Sequence, residues 1–200
     1  MDDLPYLFCD SVATTLQDLR PLKRSLSALR IEHGNWKIVL EDHATNQTTY
    51  QLFIGFNGEN VSYLFVKPQG GTCNFENIRK IKPKHLRIKY IAFSDNTTRK
   101  IPSTLCEISE ILKYVALFLD SAIIALFSFK ANESDLVRLL DCLKNASIEI
   151  ICLNKKQKSY EKFIRSRLKS VHFTWFDGYE YLSEGFQREL REVLLKRSLV

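Results

Sequence analysis

The sequence predicts an α+β fold, in which N-terminal helices and a β-hairpin sheet precede an αβ repeat with short parallel strands and a C-terminal helix. Two observations carry this prediction. Asn57-Gly58 lies between two runs of β-branched and aromatic residues, which is the strongest short-range signal for a hairpin. Later in the chain, apolar runs that begin near residues 122, 148 and 170 alternate with segments of helical periodicity, which favours a parallel sheet. With 200 residues, of which 45% are apolar, the chain is long enough to bury a core.

The first segment, from Asp3 to about Leu29, has the apolar spacing of helices. Pro5 is compatible with the first turn of a helix, where its missing N–H would have no intrahelical partner anyway. Pro21 should end the first helix, because proline disfavours helical geometry in the residue before it. A second short helix is therefore expected between Pro21 and Leu29.

A further strand is predicted from Leu86 to Phe93, before the αβ repeat. A helix should then begin near Thr104, since Glu107 three residues later completes a capping box with it. Another helix is expected to be capped by Ser134. The helices of this half should bury one apolar stripe each: Ile108, Leu112, Val115 and Leu119; Leu136, Leu139, Leu140 and Leu143; Tyr160, Phe163, Ile164 and Leu168; and Phe186, Leu190, Val193 and Leu194.

The strand spacing of 26 and then 22 residues falls in the range of leucine-rich repeats. The leucine-rich consensus itself is absent, so the chain is LRR-like in its rhythm only, and a plain three-stranded α/β layer is an equal alternative. The change of rhythm near residue 100 predicts two regions. Residues 1–100 would hold the N-terminal helices and the hairpin, and residues 101–200 would hold the αβ repeat.

The sequence favours an intracellular protein, in the cytoplasm or the nucleus. Its opening residues carry two acids where a secretory signal has basic residues. The most apolar stretch, residues 114–129, is shorter than the roughly 20 residues of a spanning helix and contains Asp120, so we expect no membrane association. The five cysteines form no paired motif, which favours reduced thiols.

No catalytic or metal-binding motif occurs in the sequence, so we expect no enzyme activity, no cofactor and no metal. The four histidines, His33, His43, His85 and His172, lie far apart and have no zinc-binding spacing. A Gly-rich phosphate loop and a nucleophile elbow are absent too. A hydrolase would require His33 or His43 to lie in a pocket beside a cysteine or a carboxylate.

The net charge of +6 makes nucleic-acid binding the alternative function. Two clusters carry much of the excess positive charge, residues 79–89 and residues 155–169. A basic stripe with interleaved aromatic residues can bind phosphates. In the second cluster, however, the charges lie opposite Tyr160 and Phe163, as on any amphipathic surface helix, and no RNA- or DNA-binding motif accompanies them.

The chain opens with MDDLPYLFCDSVATTL, which resembles the start of an F-box: a Leu-Pro pair, an amphipathic helix, further leucines and a tryptophan about thirty residues later. The matching positions are Leu4, Pro5, Phe8, Val12, Leu16, Leu19, Leu22, Leu26 and Trp36. The resemblance extends over most of the chain to the expanded nematode families of F-box and F-box-associated proteins, through HATNQTTYQLFIGFNGENVSYLF, KHLRIKYIAF, DLVRLLDCLKNASIEII and YEKFIRSRLKSVHFTWF. The distance from Leu-Pro to Trp36 is long for this motif, and the Val-Cys pair that usually precedes the tryptophan is missing. The start therefore resembles a degenerate F-box that no longer binds an adaptor, and the alternative is that it is no F-box at all.

This resemblance implies a non-enzymatic protein-interaction module, the substrate-recognition component of a cullin ubiquitin ligase or a diverged relative. In such proteins the F-box helices bind a Skp-type adaptor, and the C-terminal domain captures a target protein. Here the adaptor-binding residues would be Leu4, Pro5, Phe8 and Val12. The alternative for the same apolar face is packing on the protein's own hairpin.

The target protein is unknown, but the strand pattern predicts where it binds. If right-handed helical crossovers join the parallel strands, the helices cover one face of the sheet. The other face and the loops after the strands are left for recognition, with Trp175, Tyr179 and Tyr181 as target-binding residues. Phe173 and Trp175 alternate with Thr174, so both should point the same way, and such a pair is more often core than surface. A half-exposed Trp175 beside Tyr179 would instead make this edge the candidate target surface.

Overall fold

The computed structural model describes residues 7, 9–12, 35–57, 60–94, 101–126, 132–156, 158–170 and 172–198. The chain divides into two compact units. The first unit consists of residues 1–48 and 81–86, and the second consists of residues 49–80 and 87–200.

The first unit contains one long helix among its described residues, α1, Asn35–Asn46. Cys9 of the N-terminal segment and Val39 of α1 are fully buried together, and Trp36 and Leu40 pack against them. Helix α1 is not predicted from the sequence. Its signal is nevertheless present, because Trp36, Val39, Leu40 and His43 have the i, i+3, i+4, i+7 spacing of one helix face.

The second unit is built on a mixed sheet, which has eight strands within the described residues. Strand β1, Thr48–Asn57, pairs antiparallel with β2, Asn60–Val66, and Asn57 lies opposite Asn60. This register confirms the hairpin predicted at Asn57-Gly58. Two short strands, β3 at Thr72–Cys73 and β5 at Ile101–Ser103, also pair antiparallel with β2.

The rest of the sheet is parallel. Its strands are β4, Leu86–Ser94; β6, Leu119–Leu126; β7, Ile148–Leu153; and β8, Trp175–Asp177. The strand order is β3-β2-β1-β4-β6-β7-β8, so β8 lies at one end of the described sheet. The three strands predicted from the repeat are parallel neighbours, and the α+β class is confirmed. Strand β4 is a fourth parallel strand beside β6, and an LRR-like character stays a prediction.

The strand pairings cross the predicted boundary at residue 100. Strand β2 pairs with β5, and β4 pairs with β6, so strands from both sides of this residue form a single sheet. The two units of the structure therefore divide the chain differently from the predicted regions 1–100 and 101–200. The physical reason is that strands on either side of a change in sequence pattern can still pair by hydrogen bonds in one sheet.

Five helices belong to the second unit within the described residues: α2, Phe75–Arg79; α3, Leu105–Ala116; α4, Glu133–Cys142; α5, Lys158–Arg167; and α6, Glu184–Ser198. The predicted capping box of α3 is confirmed. The Glu107 N–H donates to the Thr104 hydroxyl at 3.2 Å, and the Thr104 N–H donates to the Glu107 carboxylate at 2.8 Å. The predicted cap of α4 is wrong, because Asn132, two residues before Ser134, already accepts the Ser134 N–H at 3.1 Å.

The predicted apolar stripes form most of the helical part of the core. Their buried members are Ile108, Leu112, Val115, Leu136, Leu139, Leu140, Leu143, Tyr160, Phe163, Ile164, Phe186 and Leu190. Leu119 is buried too, but it lies in β6 and not in a helix. Leu168, Val193 and Leu194 are only half-buried. Consecutive helices pack together, α3 against α4 and α4 against α5.

A buried arginine joins two of these helices. The Arg167 guanidinium, at the end of α5, donates to the backbone carbonyls of Leu143 and Ala146, each at 3.4 Å, and to that of Lys144. These carbonyls follow the C-terminus of α4, where helix carbonyls lack intrahelical partners. Burial lowers the pKa of Arg167 from its ordinary value. The side chain is therefore part of the protein's internal hydrogen bonding and not of its surface charge.

Candidate functional site

The last strand is shorter than the sequence predicts. The prediction begins a strand near residue 170, but β8 begins at Trp175, because the Phe173 N–H donates to the Ser170 carbonyl at 3.3 Å in a turn. Phe173 is fully buried, whereas Trp175 exposes 62% of its surface. The expectation that these two aromatic residues form a common core pair is therefore wrong.

Gly178 turns the chain away from the end of β8. Its φ of 101° lies in the left-handed region that favours glycine. A Cβ at this position would lie 2.6 Å from the Leu153 carbonyl oxygen of β7, so a glycine is needed for space as well as for conformation. A turn of 3-10 helix, Tyr179–Tyr181, follows directly and places Tyr179 beside the strand.

Contacts with α5 fix the helix that follows this turn. The Glu161 carboxylate accepts the Ser183 N–H at 2.5 Å and the Ser183 hydroxyl at 3.1 Å, at the start of α6. The Arg165 guanidinium pairs with Glu189 and lies 4.4 Å from the ring centre of Phe186. The turn around Tyr179 thus lies between β8 and α6, and the start of α6 is held by α5.

A groove of about 370 Å³ lies between β8 and α6. It is lined by Thr174, Trp175, Phe176, Tyr179, Arg191, Leu194 and Leu195. Trp175 and Leu195 expose 62% and 63% of their surface. The Tyr179 ring meets Phe176 edge-on with 5.0 Å between the ring centres, and the Arg191 guanidinium lies 5.0 Å from the Tyr179 ring centre. The groove is apolar, and Arg191 is the ionised side chain in its lining.

The Tyr179 hydroxyl keeps its proton at neutral pH. Burial raises the pKa of Tyr179 above its ordinary value of 10.0, and the Arg191 charge only partly opposes this rise. The phenol can therefore donate a hydrogen bond to a ligand in the groove, as well as accept one.

Two of the three predicted target-binding residues meet in this groove. Trp175 is exposed, Tyr179 is half-buried, and both are lining residues. Tyr181 is half-buried and is not among the lining residues; its N–H donates to the Gly178 carbonyl at 3.0 Å. Sequence reasoning missed the contribution of α6. The signal was the i, i+3, i+4 spacing of Arg191, Leu194 and Leu195, which sets them on one helix face.

One face of the parallel sheet continues from Trp175. The strand register places Tyr90, Ile123, Ile150 and Trp175 in one row across β4, β6, β7 and β8. The first three are half-buried. Their neighbours along the strands point to the opposite face and are buried: Ile91, Ile124, Ile151 and Phe176. The less buried face thus carries an apolar row that ends at the groove.

A second groove, of about 440 Å³, lies between α3 and α4. Its lining includes the cationic residues Lys113, Arg138 and Lys144, and also Leu117, which exposes 78% of its surface. No aromatic residue is among its lining residues. Leu117 is therefore an exposed apolar residue of the second unit that lies outside the groove at β8.

Charged side chains form a network in the first unit. His43 Nε2 lies 2.8 Å from the Asp10 carboxylate, and His85 Nε2 lies 3.0 Å from the Asp42 carboxylate. The Lys84 ammonium is 2.6 Å from Asp42 and 3.7 Å from Asp10. Hydrogen bonds from Lys84 first, and then from His85, hold the pKa of Asp42 well below its usual range. The network ties the described N-terminal residues to α1 and to residues 81–86.

A hydrolase would need His33 or His43 in a pocket beside a cysteine or a carboxylate, and this network meets only part of that condition. His43 lies beside the Asp10 carboxylate, but it is fully buried and offers no surface to a substrate. His33 lies outside the described residues, and His172 is exposed. In the part of the chain that the structure describes, no three or more His, Cys, Asp or Glu side chains are grouped so that they could hold a metal ion.

Most of the predicted adaptor-binding residues, Leu4, Pro5 and Phe8, lie outside the described residues. Val12 is half-buried in the helical residues 9–12, which also contain the buried Cys9. One side of this segment is therefore used for packing within the first unit.

The two basic clusters are partly committed to internal contacts. In the first cluster, Lys84 is bound to Asp42 and Arg87 is buried. In the second, Arg165 pairs with a glutamate of α6 and Arg167 is buried against backbone carbonyls. A phosphate-binding stripe needs exposed cations along one surface, so these contacts weaken the case for nucleic-acid binding.

Comparisons of the chain with protein-family models, with curated proteins and with solved structures found no match. Within the described ranges, no helix has both the length and the apolar character that a bilayer crossing requires. The chemistry of the groove is therefore the basis for a functional interpretation.

Proposed function

We propose that this protein is a non-enzymatic protein-interaction module, which acts as the substrate-recognition component of a cullin ubiquitin ligase or is a diverged relative of one. It would bind a Skp-type adaptor through its first residues and a target protein through its second unit, in the cytoplasm or the nucleus. The observation that carries the proposal is the exposure of Trp175 in the groove beside Tyr179 and Arg191.

The composition of the groove supports protein binding. Tryptophan, tyrosine and arginine are the residues most enriched at the energetic centres of protein interfaces. Covering the exposed part of Trp175 would remove on the order of 100 Å² of apolar surface from water, which is worth about 2.5 kcal/mol. Leu195 adds a second exposed apolar side chain in the same groove.

The adaptor half of the proposal is tested by co-purification. A Skp-type adaptor should be recovered with the full chain, and the double substitution Phe8→Asp with Val12→Asp should abolish this recovery while the circular dichroism spectrum is unchanged. Ile38→Asp is the matched control, because Ile38 is an exposed apolar residue of α1 and is not among the predicted adaptor-binding residues. Failure to recover any adaptor would remove the ligase role.

The target half is tested by comparing two single substitutions in cells. Proteins that cross-link to the wild-type chain should be lost from Trp175→Ala and retained by Leu117→Ala, since Leu117 is also an exposed apolar residue but lines the second groove. Equal cross-linking by the two variants would show that the groove at β8 is not the target surface.

A further inference from the structure

We propose that the target segment is an extended peptide that adds a strand to the outer edge of β8 and places an acidic and an apolar side chain, two residues apart, in the groove. This inference rests on the proposed function and specifies the chemistry of the target. It is drawn from the outer edge of β8, with which no described strand pairs, from the lining of the groove and from the spacing of two side chains on α6.

The backbone of β8 has hydrogen-bonding groups that point away from the sheet. The Thr174 N–H donates to the Glu149 carbonyl of the β7 strand region at 3.0 Å, so Thr174 faces β7. Successive residues of a strand alternate, so the N–H and C=O groups of Phe176 also face β7, and those of Trp175 and Asp177 face outward. Strand β8 is the last strand in the described sheet, and no described strand pairs with this outer edge.

The outer edge of β8 has only some of the features that normally prevent strand addition. Natural edge strands are protected by short length, by charged side chains, by proline or by bulges, and β8 is short and carries Asp177. At the other end of the described sheet, β5 carries the exposed Pro102. Strand β8, with the sequence Trp-Phe-Asp, has neither proline nor lysine and exposes a tryptophan. A short strand edge without proline or lysine, beside an apolar groove, can take part in recognition by strand addition when the groove supplies most of the contacts.

The groove specifies which side chains such a peptide carries. Arg191 and Leu195 are four residues apart on α6, which corresponds to about 6 Å along a helix. Side chains on one face of a strand are two residues apart, which corresponds to about 6.7 Å. A peptide at the edge can therefore place a carboxylate against Arg191 and an apolar side chain against Leu194 and Leu195.

The same geometry argues against an antiparallel second copy of this chain as the strand. Two β8 edges that pair about a two-fold axis perpendicular to the sheet keep the same face on the same side, so the second copy would present Thr174 and Phe176 on the face of Phe176. Neither carries a carboxylate, and Asp177 lies on the other face with Trp175. Antiparallel self-pairing would leave Arg191 without an anionic partner from the added strand, whereas an acidic peptide supplies one.

The test uses a phage-displayed library of random linear twelve-residue peptides. Peptides are selected on the purified full chain and counter-selected on Trp175→Ala. The selected sequences should be enriched in an Asp or Glu two positions before or after a large apolar residue. Absence of enrichment, or enrichment of basic peptides, would overturn the inference.

Binding of a synthesised peptide can be followed by the fluorescence of Trp175. The chain contains two tryptophans, so Trp36→Phe leaves Trp175 as the single reporter. Arg191→Met should weaken binding about tenfold or more, because a charge-assisted hydrogen bond is lost. Arg188→Met should leave it unchanged, because Arg188 is an exposed arginine of α6 outside the lining of the groove.

A scan of single N-methylations along the peptide tests the added strand itself. Each methyl group removes one backbone donor, so binding should weaken at the alternate positions that pair with Trp175 and Asp177 and be kept at the position between them. Uniform tolerance, sensitivity without a period of two, or concentration-dependent dimers of the chain that Trp175→Ala abolishes would each refute strand addition by a peptide. If cross-linking to a target depends on Trp175 but no linear peptide binds, the proposed function stands and this inference fails.

Discussion

The substitution Gly178→Ala tests the link between the backbone at the end of β8 and the groove. Gly178 has a φ of 101°, and a Cβ there would lie 2.6 Å from the Leu153 carbonyl oxygen and 2.9 Å from the Leu153 Cβ. Leu153 is the last residue of β7, so relief of the clash requires a shift between two paired strands. We therefore expect a loss of stability together with a change in the groove.

The magnitude has two parts. A left-handed φ costs an alanine about 1–2 kcal/mol relative to glycine, and a clash that the backbone must absorb costs about 1–3 kcal/mol more. The reduced freedom of the unfolded chain returns about 0.4–1 kcal/mol. The free energy of unfolding should thus fall by about 1–4.6 kcal/mol, with the middle of this range at about 3 kcal/mol.

Gly70 separates these two parts. It has a φ of +95°, but a Cβ there would meet nothing within 4 Å, so Gly70→Ala should cost only about 1 kcal/mol. Urea unfolding followed by circular dichroism measures both variants, and the fluorescence of Trp175 in a Trp36→Phe background reports on the groove. Equal losses for the two variants, or a loss below about 1 kcal/mol for Gly178→Ala, would refute the steric part.

Three further substitutions test contacts elsewhere in the fold. Arg167→Met should lower the free energy of unfolding by about 2–3 kcal/mol, because it removes the hydrogen bonds of a buried guanidinium to the Leu143 and Ala146 carbonyls, of which only the Leu143 carbonyl keeps another described donor, the Ala146 N–H. Arg165→Met should lower it by under about 1 kcal/mol, since its ion pair is exposed, and similar losses for the two variants in urea unfolding would contradict this. Asn132→Ala should lower the free energy of unfolding by about 1 kcal/mol, and Ser134→Ala by only a few tenths of a kcal/mol, in the same urea unfolding measurement. A larger loss for Ser134→Ala would show that Ser134 is the cap of α4. The Asp42 carboxylate has a lowered pKa, so its stabilising contribution is fully present above the ordinary pKa of about 4 and is lost as the pH falls below it. The difference in unfolding free energy between wild type and Asp42→Asn should therefore shrink from about pH 6 to pH 3, and a constant difference would contradict the lowered pKa.

The elements that were predicted correctly carry their signals within a few residues. The hairpin follows from the residues at Asn57-Gly58, and the cap of α3 follows from Thr104 and Glu107. Helix α1 was missed because its apolar spacing is interrupted by charged residues and leads straight into β1, where strand signals dominate. The pairing of β4 with β6 could not be predicted, since it joins segments separated by β5 and α3.

The candidate site was predicted only in part, because the strand that was expected to include Phe173 begins two residues after it, at Trp175. Strand periodicity places Phe173 and Trp175 on one face, but the Phe173 N–H bonds to the Ser170 carbonyl, and β8 begins only at Trp175. Trp175 and Tyr179 lie in one groove on either side of Gly178, which approaches Leu153 so closely that a Cβ would clash with it. That contact is between distant parts of the chain, and no local pattern reports it.

The short length of β8 also limits what its edge can contribute to recognition. Because Phe173 lies outside the strand, only Trp175 and Asp177 present backbone groups outward, and two residues of strand pairing are too few to hold a peptide by themselves. Most of the affinity must then come from side chains in the groove, above all Trp175, Arg191 and Leu195. Backbone pairing would set the direction and register of the bound segment, while the groove would select its sequence. Arg191→Met should therefore change which peptides bind but lower the free energy of unfolding only slightly. Arg191 is exposed, and its described contact is with the face of Tyr179.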